Sequence, residues 1–247
     1  MNSIKESLRE ILIYFHLDLS KNLKYDRITR SILKKYLKID SNCIDVGSHK
    51  GEILSLMLQY APQGVHRAFE PIPYLYKILL ANFKDTAKIF PYALSDKSGE
   101  TTFQLVKNAP AYSGINKRRY DVVAPEIEEI MVEQKTLDEI IPLDTIIHLV
   151  KIDVEGGEFG VLKGGKNTLK KNKPILIFEC GKGASEYYGT KPIDIYNFIT
   201  NEIELKIYTL KSFIKNENAL SESEFVKYFN TNEEYYFIAG NSGIQKP

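Results

Sequence analysis

Short apolar runs alternate with amphipathic stretches along most of this chain, and no other feature constrains its fold so strongly. The runs "NCIDV", "VHRAFE", "KIFPYAL", "IIHLVKIDV", "PILIFEC", "ELKIYTL" and "EYYFIAG" have strand length and strand composition. Between them, helical periodicity predicts helices near Glu52–Tyr60, Pro73–Phe83, Glu158–Lys171, Ile193–Thr200 and Glu222–Phe229. Such βαβ alternation predicts an α/β fold with a largely parallel sheet and helices on both faces. The last two runs lack a tight crossover, which predicts an antiparallel edge strand.

Two amphipathic patterns precede the first strand. Ile4, Leu8, Ile11, Leu12 and Phe15 form one, and Ile28, Ile32, Leu33 and Tyr36 the other. Residues 1–40 are therefore expected to be a helical cap on a domain running from 41 to 247. The alternation breaks at about 96–140, where "TTFQLV" and "IMVEQKTL" read as strands around a Gly/Pro/Asn-rich loop. An insertion of this kind at the edge or mouth of a sheet often carries binding residues.

The 33 basic and 32 acidic residues nearly cancel, so there is no broad electrostatic pull toward nucleic acid or an anionic membrane. No apolar run reaches the roughly 18 residues of a membrane-spanning helix. Lys5, Glu6, Arg9 and Glu10 interrupt the apolar N-terminal stretch, which argues against a cleavable leader and for a cytoplasmic protein. Cys43 and Cys180 sit in apolar runs and are expected to be buried free thiols.

The stretch "NCIDVGSHKGEILSLML" is the first strand–helix junction. In open α/β sheets, ligands bind beyond the C-terminal strand ends where strand order reverses. Gly47 and Gly51 allow a sharp turn and close approach of a ligand. Asp45 at the strand end can accept hydrogen bonds from an ammonium or hydroxyl group. Gly47-x-x-x-Gly51 is not the Gly-x-Gly-x-x-Gly of a dinucleotide site, and no Walker lysine follows. Glu70 ends the second strand in "RAFEP", about twenty residues on, where a carboxylate can bind ribose hydroxyls. Acid, glycine turn and ribose carboxylate together suit a nucleoside with a compact charged tail.

The ordered set "CIDVGSHKGE", "AFEP", "YALSDKSGETTF", "KTLDE", "VKIDVEGGEFGVLKG" and "PILIFE" resembles the FkbM-type methyltransferases over roughly Tyr25 to Gly181. The resemblance implies a class I, Rossmann-like seven-stranded sheet with the last strand antiparallel. It also implies S-adenosylmethionine as cofactor and O-methylation of a saccharide or small-molecule metabolite. Asp45, Gly47 and Gly51 would line the methionine moiety, with Ser48 and His49 in variable positions of the turn. Glu70, beside Pro71, would hold the ribose, and Tyr92, Ala93 and Leu94 the adenine.

"KIDVEGGE" places Asp153 at the end of the fourth strand, beside the first. Asp153, at the strand end itself, is the better candidate to face both sulfonium and acceptor, with Glu155 just beyond it as a second candidate. An alcohol is a poor nucleophile, and a carboxylate that orients or deprotonates it assists the displacement. His49 and His148 are further candidates to assist. Glu179, at the end of "PILIFEC", could orient the acceptor or simply pair with Lys151 or Lys173. Asp153, Glu155 and Glu158 could instead gather a divalent cation, or Glu158 could favour its helix N-terminus; a metal is not assigned.

His16 and His66 read as ordinary residues and His148 as a core strand residue. In the insertion, Tyr112 and Ser113 are candidates to contact a sugar, and Lys117, Arg118 and Arg119 form either a solvated face or an anion site. An aminomethylating Asn/Asp-Pro-Pro-aromatic signature is absent after the fourth strand. A nicotinamide oxidoreductase or a non-catalytic scaffold remain as other classes.

Overall fold

A computed structural model describes residues 21–241 except Asp121; the first expected helix and His16 lie outside these. In chain order the elements are α1 (Lys21–Tyr36), β1 (Cys43–Val46), α2 (Glu52–Tyr60), β2 (His66–Phe69), α3 (Pro73–Phe83), β3 (Ala87–Phe90), β4 (Tyr92–Leu94), β5 (Gly99–Val106) and β6 (Ile127–Lys135). There follow α4 (Leu137–Ile140), β7 (Leu149–Ile152), α5 (Glu158–Gly164), α6 (Lys166–Asn172), β8 (Ile175–Glu179), α7 (Pro192–Asn197), β9 (Lys206–Thr209), α8 (Leu210–Ile214), α9 (Glu222–Thr231) and β10 (Tyr236–Gly240).

Seven strands form the main sheet in the order β3-β2-β1-β7-β8-β10-β9. The first five are parallel to one another, and β10 runs antiparallel to both β8 and β9. The antiparallel strand is thus the chain's last, as expected, but it lies one place in from the edge. The physical reason is the α9 connection, which returns the chain between β8 and β9. Period-two alternation divides the core. Ile44, Val150, Ile152 and Phe178 pack under α5, α6, α7 and α9, while Cys43, Leu149 and Ile177 pack under α1, α2 and α8. Tyr25, Ile28, Ile32 and Leu33 of α1 are buried in the second of these layers.

Two boundaries differ from the sequence pattern for clear reasons. "KIFPYAL" is not one strand, because Pro91 has no N–H to continue the ladder. β3 stays in the main sheet and β4 joins β5 and β6 in a second sheet of order β4-β6-β5. That sheet is the insertion. Thr136 and Leu137 leave the strand because Thr136 and Glu139 form a reciprocal capping box that starts α4. The helix expected at Glu158–Lys171 breaks at Gly165. A Cβ on the neighbouring Gly164 would stand 1.9 Å from the Ser95 carbonyl oxygen, so this corner packs against the backbone after β4.

Candidate active site

Strand order reverses at β1 and β7, whose C-terminal ends open the crevice. Gly47 turns the chain there with φ +76°, and a Cβ would sit 1.9 Å from the Asp153 carbonyl oxygen. Only glycine lets the turn lie this close to the end of β7. Gly51 has φ +89°, but its missing Cβ makes room for Phe83 and Leu79 and not for a ligand. It starts α2 against α3 and lines none of the three cavities described below.

The first cavity lies beyond β1, β2 and β4. Gly47, His49, Glu70, Pro71, Tyr92, Ala93, Leu94 and Asp153 line it, and Ser113 and Tyr188 close it from the insertion side. Glu70 is 4% exposed; its two oxygens accept the backbone N–H groups of His49 and Ile72, each at 2.9 Å. Burial pushes its carboxyl up to about 7 in spite of those bonds. Each oxygen keeps a lone pair for a ribose hydroxyl, and Phe69, Ile72 and Phe103 supply apolar walls for a base. The residues fit the adenosine half of S-adenosylmethionine. The cavity measures about 110 Å³, below the roughly 300 Å³ at which small-molecule sites begin. The segment 110–118 covers this cavity, with Pro110, Ala111, Ser113 and Ile115 in its wall.

Several contacts hold that segment, among them the reciprocal backbone hydrogen bonds of Gln104 and Gly114 and the Lys117–Glu129 ion pair. Arg118 pairs with Glu155, Asn116 donates its backbone N–H to the Tyr188 hydroxyl at 3.1 Å and its side-chain amide to the Tyr187 carbonyl at 3.0 Å, and Ser113 Oγ accepts from Val106 N at 2.9 Å. Arg118 also lies over the Tyr112 ring, 5.4 Å from its centroid.

Two larger cavities adjoin the first. One, of about 380 Å³, shares Gly47, His49, Ala111, Asp153 and Glu155 with it and is walled by Tyr25, Tyr235, Tyr236 and Glu179. The other, of about 440 Å³, continues past Tyr112, Arg118, Glu158, Glu179 and Tyr235. Both are of the size that takes a small-molecule ligand.

A buried ion network floors these cavities. Lys151, 6% exposed, points out of β7 and donates to the Gly47 carbonyl at 3.0 Å. Its Nζ stands 3.5 Å from both Asp45 Oδ1 and Asp153 Oδ2. Burial opposes its charge, but the two carboxylates outweigh that and hold it up at about 12. Burial pushes the Asp45 carboxyl up while Lys151 pulls it back. Asp153 is desolvated too, yet Lys151, the Tyr236 hydroxyl and Glu179 hold it below the usual carboxylate range. Glu179 goes the other way: burial and the nearby Asp153 and Glu158 charges push it well up.

The structure redistributes several expected roles. Asp45 is fully buried and faces an ammonium group, but that group is the protein's own Lys151, its cross-strand neighbour in the β1–β7 ladder. Asp45 lines none of the three cavities, and Ser48, whose Oγ donates to the Asp45 carbonyl at 2.8 Å, lines only the second. Ser113, expected at an acceptor, lines the first cavity, and its hydroxyl accepts from the β5 backbone. Tyr112 lines the third cavity. Glu155 is taken up by Arg118 and Lys117 by Glu129, so these charges face acids and do not form an anion site.

Glu155 also does not join Asp153 and Glu158; the acids that converge, among the described residues, are Asp153, Glu158 and Glu179. Lys173 pairs with Glu204, leaving Glu179 to Asp153. His49, in the left-handed region at φ 49°, lies 3.6 Å from Glu52 and lines the first two cavities. His148 is exposed at the opposite end of β7, its Nδ1 accepting from Asn42 N at 2.9 Å. His66 is buried against the Ala61 carbonyl, and both cysteines are buried and free.

Sequence reasoning missed Lys151, Tyr25 and Tyr236 as site residues. For Lys151 the signal was present: a lysine inside an apolar strand, two residues before Asp153 and thus on its face, is anomalous unless paired.

A parallel sheet with one inserted antiparallel strand, a glycine turn at its switch point and a carboxylate at the end of the next strand are the features of the class I, Rossmann-like fold. The family described as the Methyltransferase FkbM domain matches residues 45–205, and the chain belongs to it. A 2-O-methyltransferase, NoeI, from Sinorhizobium fredii (strain NBRC 101917 / NGR234) is 26% identical over 192 residues, 70% of this chain and 75% of that protein. The crystal structure of methyltransferase FkbM from Methylobacillus flagellatus KT superposes with a TM-score of 0.52 at 14% identity, over 83% of this chain and 44% of that one. This chain therefore spans less than half the length of that structure, and the likeness concerns the fold. Among the described residues no helix is long and apolar enough to cross a membrane.

Proposed function

We propose that this methyltransferase transfers the methyl group of S-adenosylmethionine to a hydroxyl of a saccharide or other small-molecule metabolite, in the cytoplasm. The observation that carries the reading is Asp153, which lines both the first cavity, beside Glu70, and the adjoining 380 Å³ cavity. When bound, the cofactor supplies an electrophilic methyl on a positively charged sulfur. The protein's part is to align a hydroxyl with it and to accept the proton. Asp153 does this from a fixed position, since Lys151 and Tyr236 hold its Oδ2. Tyr25, Tyr235 and Tyr236 offer ring faces and hydroxyls to a sugar, which presents C–H faces and hydroxyls in return. The name of the Sinorhizobium relative supports oxygen as the methylated atom.

The test is release of S-adenosylhomocysteine from S-adenosylmethionine over a panel of saccharides and hydroxylated metabolites, with NAD binding measured alongside. Turnover of a hydroxylated acceptor, reduced about 10²- to 10⁴-fold in Asp153→Asn, is expected. Methylation confined to amines, or NAD binding without S-adenosylmethionine binding, would overturn the reading.

A further inference from the structure

Three carboxylates meet beneath the second and third cavities: Asp153, Glu179 and Glu158 each offer an oxygen within 4.8 Å of the others. They come from the ends of β7 and β8 and the start of α5; Glu158 is buried, and Asp153 and Glu179 are partly buried. Like charges at such spacing do not all ionise. Lys151 decides where the charge settles. It touches Asp153, 3.5 Å away, and its other contacts are Asp45 and the Gly47 carbonyl, on the side of the cofactor turn. Tyr236 adds a second donor to Asp153. Arg118 faces Glu179 but is spent on Glu155. Cys180 and Tyr188, also near, bring no positive charge. Glu158 Oε1 accepts the N–H groups of Val154 and Gly156, at 3.0 and 3.1 Å, which fixes its position.

We propose that Asp153, Glu179 and Glu158 form a proton store polarised by Lys151, which gives up a proton when a sulfonium cation occupies the crevice beside Asp153. This rests on the S-adenosylmethionine reading above. The cluster then becomes competent to receive the acceptor's proton only when a methyl donor is loaded. The charges balance over a turnover. On loading, the proton leaves to solvent from those molecules whose cluster still holds it. The acceptor oxygen then forms a bond to the methyl carbon, the sulfur keeps the electron pair of the broken bond, and the acceptor's proton enters the cluster. The spent thioether is neutral, so the recharged cluster no longer attracts it.

S-adenosylmethionine and S-adenosylhomocysteine differ by the methyl group and the positive charge, so the pair isolates the effect without any acceptor. Burial sets Glu158 at about 7. A tenfold loss of proton affinity there takes its protonated fraction at pH 7 from about 0.5 to about 0.1, releasing about 0.4 proton. Titration calorimetry in phosphate and in Tris, whose ionisation enthalpies differ, reads this directly. S-adenosylmethionine should release at least that much more than S-adenosylhomocysteine, and the excess should vanish in Glu158→Gln and Glu179→Gln. The glutamine at 158 can still accept the two backbone N–H groups, and binding of S-adenosylhomocysteine reports that each variant is folded. Equal proton release by the two ligands overturns the proposal, as does an excess that survives both substitutions. Release of the same protons by magnesium chloride alone would mark a cation site instead. Failure of both nucleosides to bind would remove the cofactor reading itself, a result distinct from all of these.

Discussion

Replacing Lys151 by methionine tests the network on which the site is built. The side chain is 6% exposed and the volumes are similar, so the change removes a charge and leaves packing nearly intact. The two carboxylates raise the lysine from 10.5 to about 12. At about 1.36 kcal/mol per tenfold change in proton affinity, that rise corresponds to about 2 kcal/mol. Removal also leaves Asp45 buried and Asp153 partly buried without their cation, and breaking a buried pair costs about 3–5 kcal/mol. The expected loss is therefore about 2–5 kcal/mol at pH 7. A domain of this size loses about 2–4 °C per kcal/mol, so the melting temperature should fall by at least about 4 °C.

The pH dependence follows from the signs. Lys151 is raised on folding, so its contribution is full below about 10.5 and is lost as pH climbs through about 12. Asp153 is depressed, so its contribution is present above its unfolded value and is lost as pH falls through its lower folded value. Acid protonates both aspartates and removes the need for a counter-ion, so the deficit of Lys151→Met should shrink below about pH 4. Urea denaturation of both proteins from about pH 2.5 to pH 9 measures it. Equal stability at pH 7, within the error of the extrapolation, would refute the claim that this lysine neutralises the buried pair.

Two further outcomes follow from the geometry. Gly47→Ala places a methyl 1.9 Å from the Asp153 carbonyl at a positive φ, so it should abolish calorimetric binding of S-adenosylhomocysteine and destabilise by more than about 1 kcal/mol; unchanged binding would dismiss the close approach of β1 and β7. Arg118→Ala unlatches the 110–118 segment from Glu155 and should speed S-adenosylhomocysteine dissociation by about tenfold, the equivalent of about 1.4 kcal/mol, in a stopped-flow displacement; an unaltered rate would mean that this segment does not gate the cavity.

The sheet was readable because the parity of its strands is written in residue type. Cys43 and Leu149 face one layer while Ile44 and Val150 face the other, and runs buried on both faces read as continuous apolar strings. Its departures come from single residues whose effect is local and competitive. Pro91 cut one apparent strand into two sheets, and Gly165 cut one apparent helix into two. The place of β10 was not readable, because lateral strand order depends on which crossover reaches which neighbour, and nothing in "EYYFIAG" states it.

Much of the site lay one step beyond pattern. The turn glycines, Glu70 and Asp153 are marked by position at strand ends, and a chain-order argument finds them. Position does not say which partner a side chain meets. Asp45 and Lys151 are separated by 106 positions and become neighbours only through the β1–β7 register. Glu179 meets Asp153 instead of either lysine because β8 lies beside β7, and Tyr236 reaches the same carboxylate because β10 lies beside β8. An acid at a strand end is thus ambiguous in sequence between ligand-binding and structural use. Here the choice is made by one lysine: it neutralises Asp45 as structure, and by holding Asp153 ionised it leaves that carboxylate available at the mouth of both cavities.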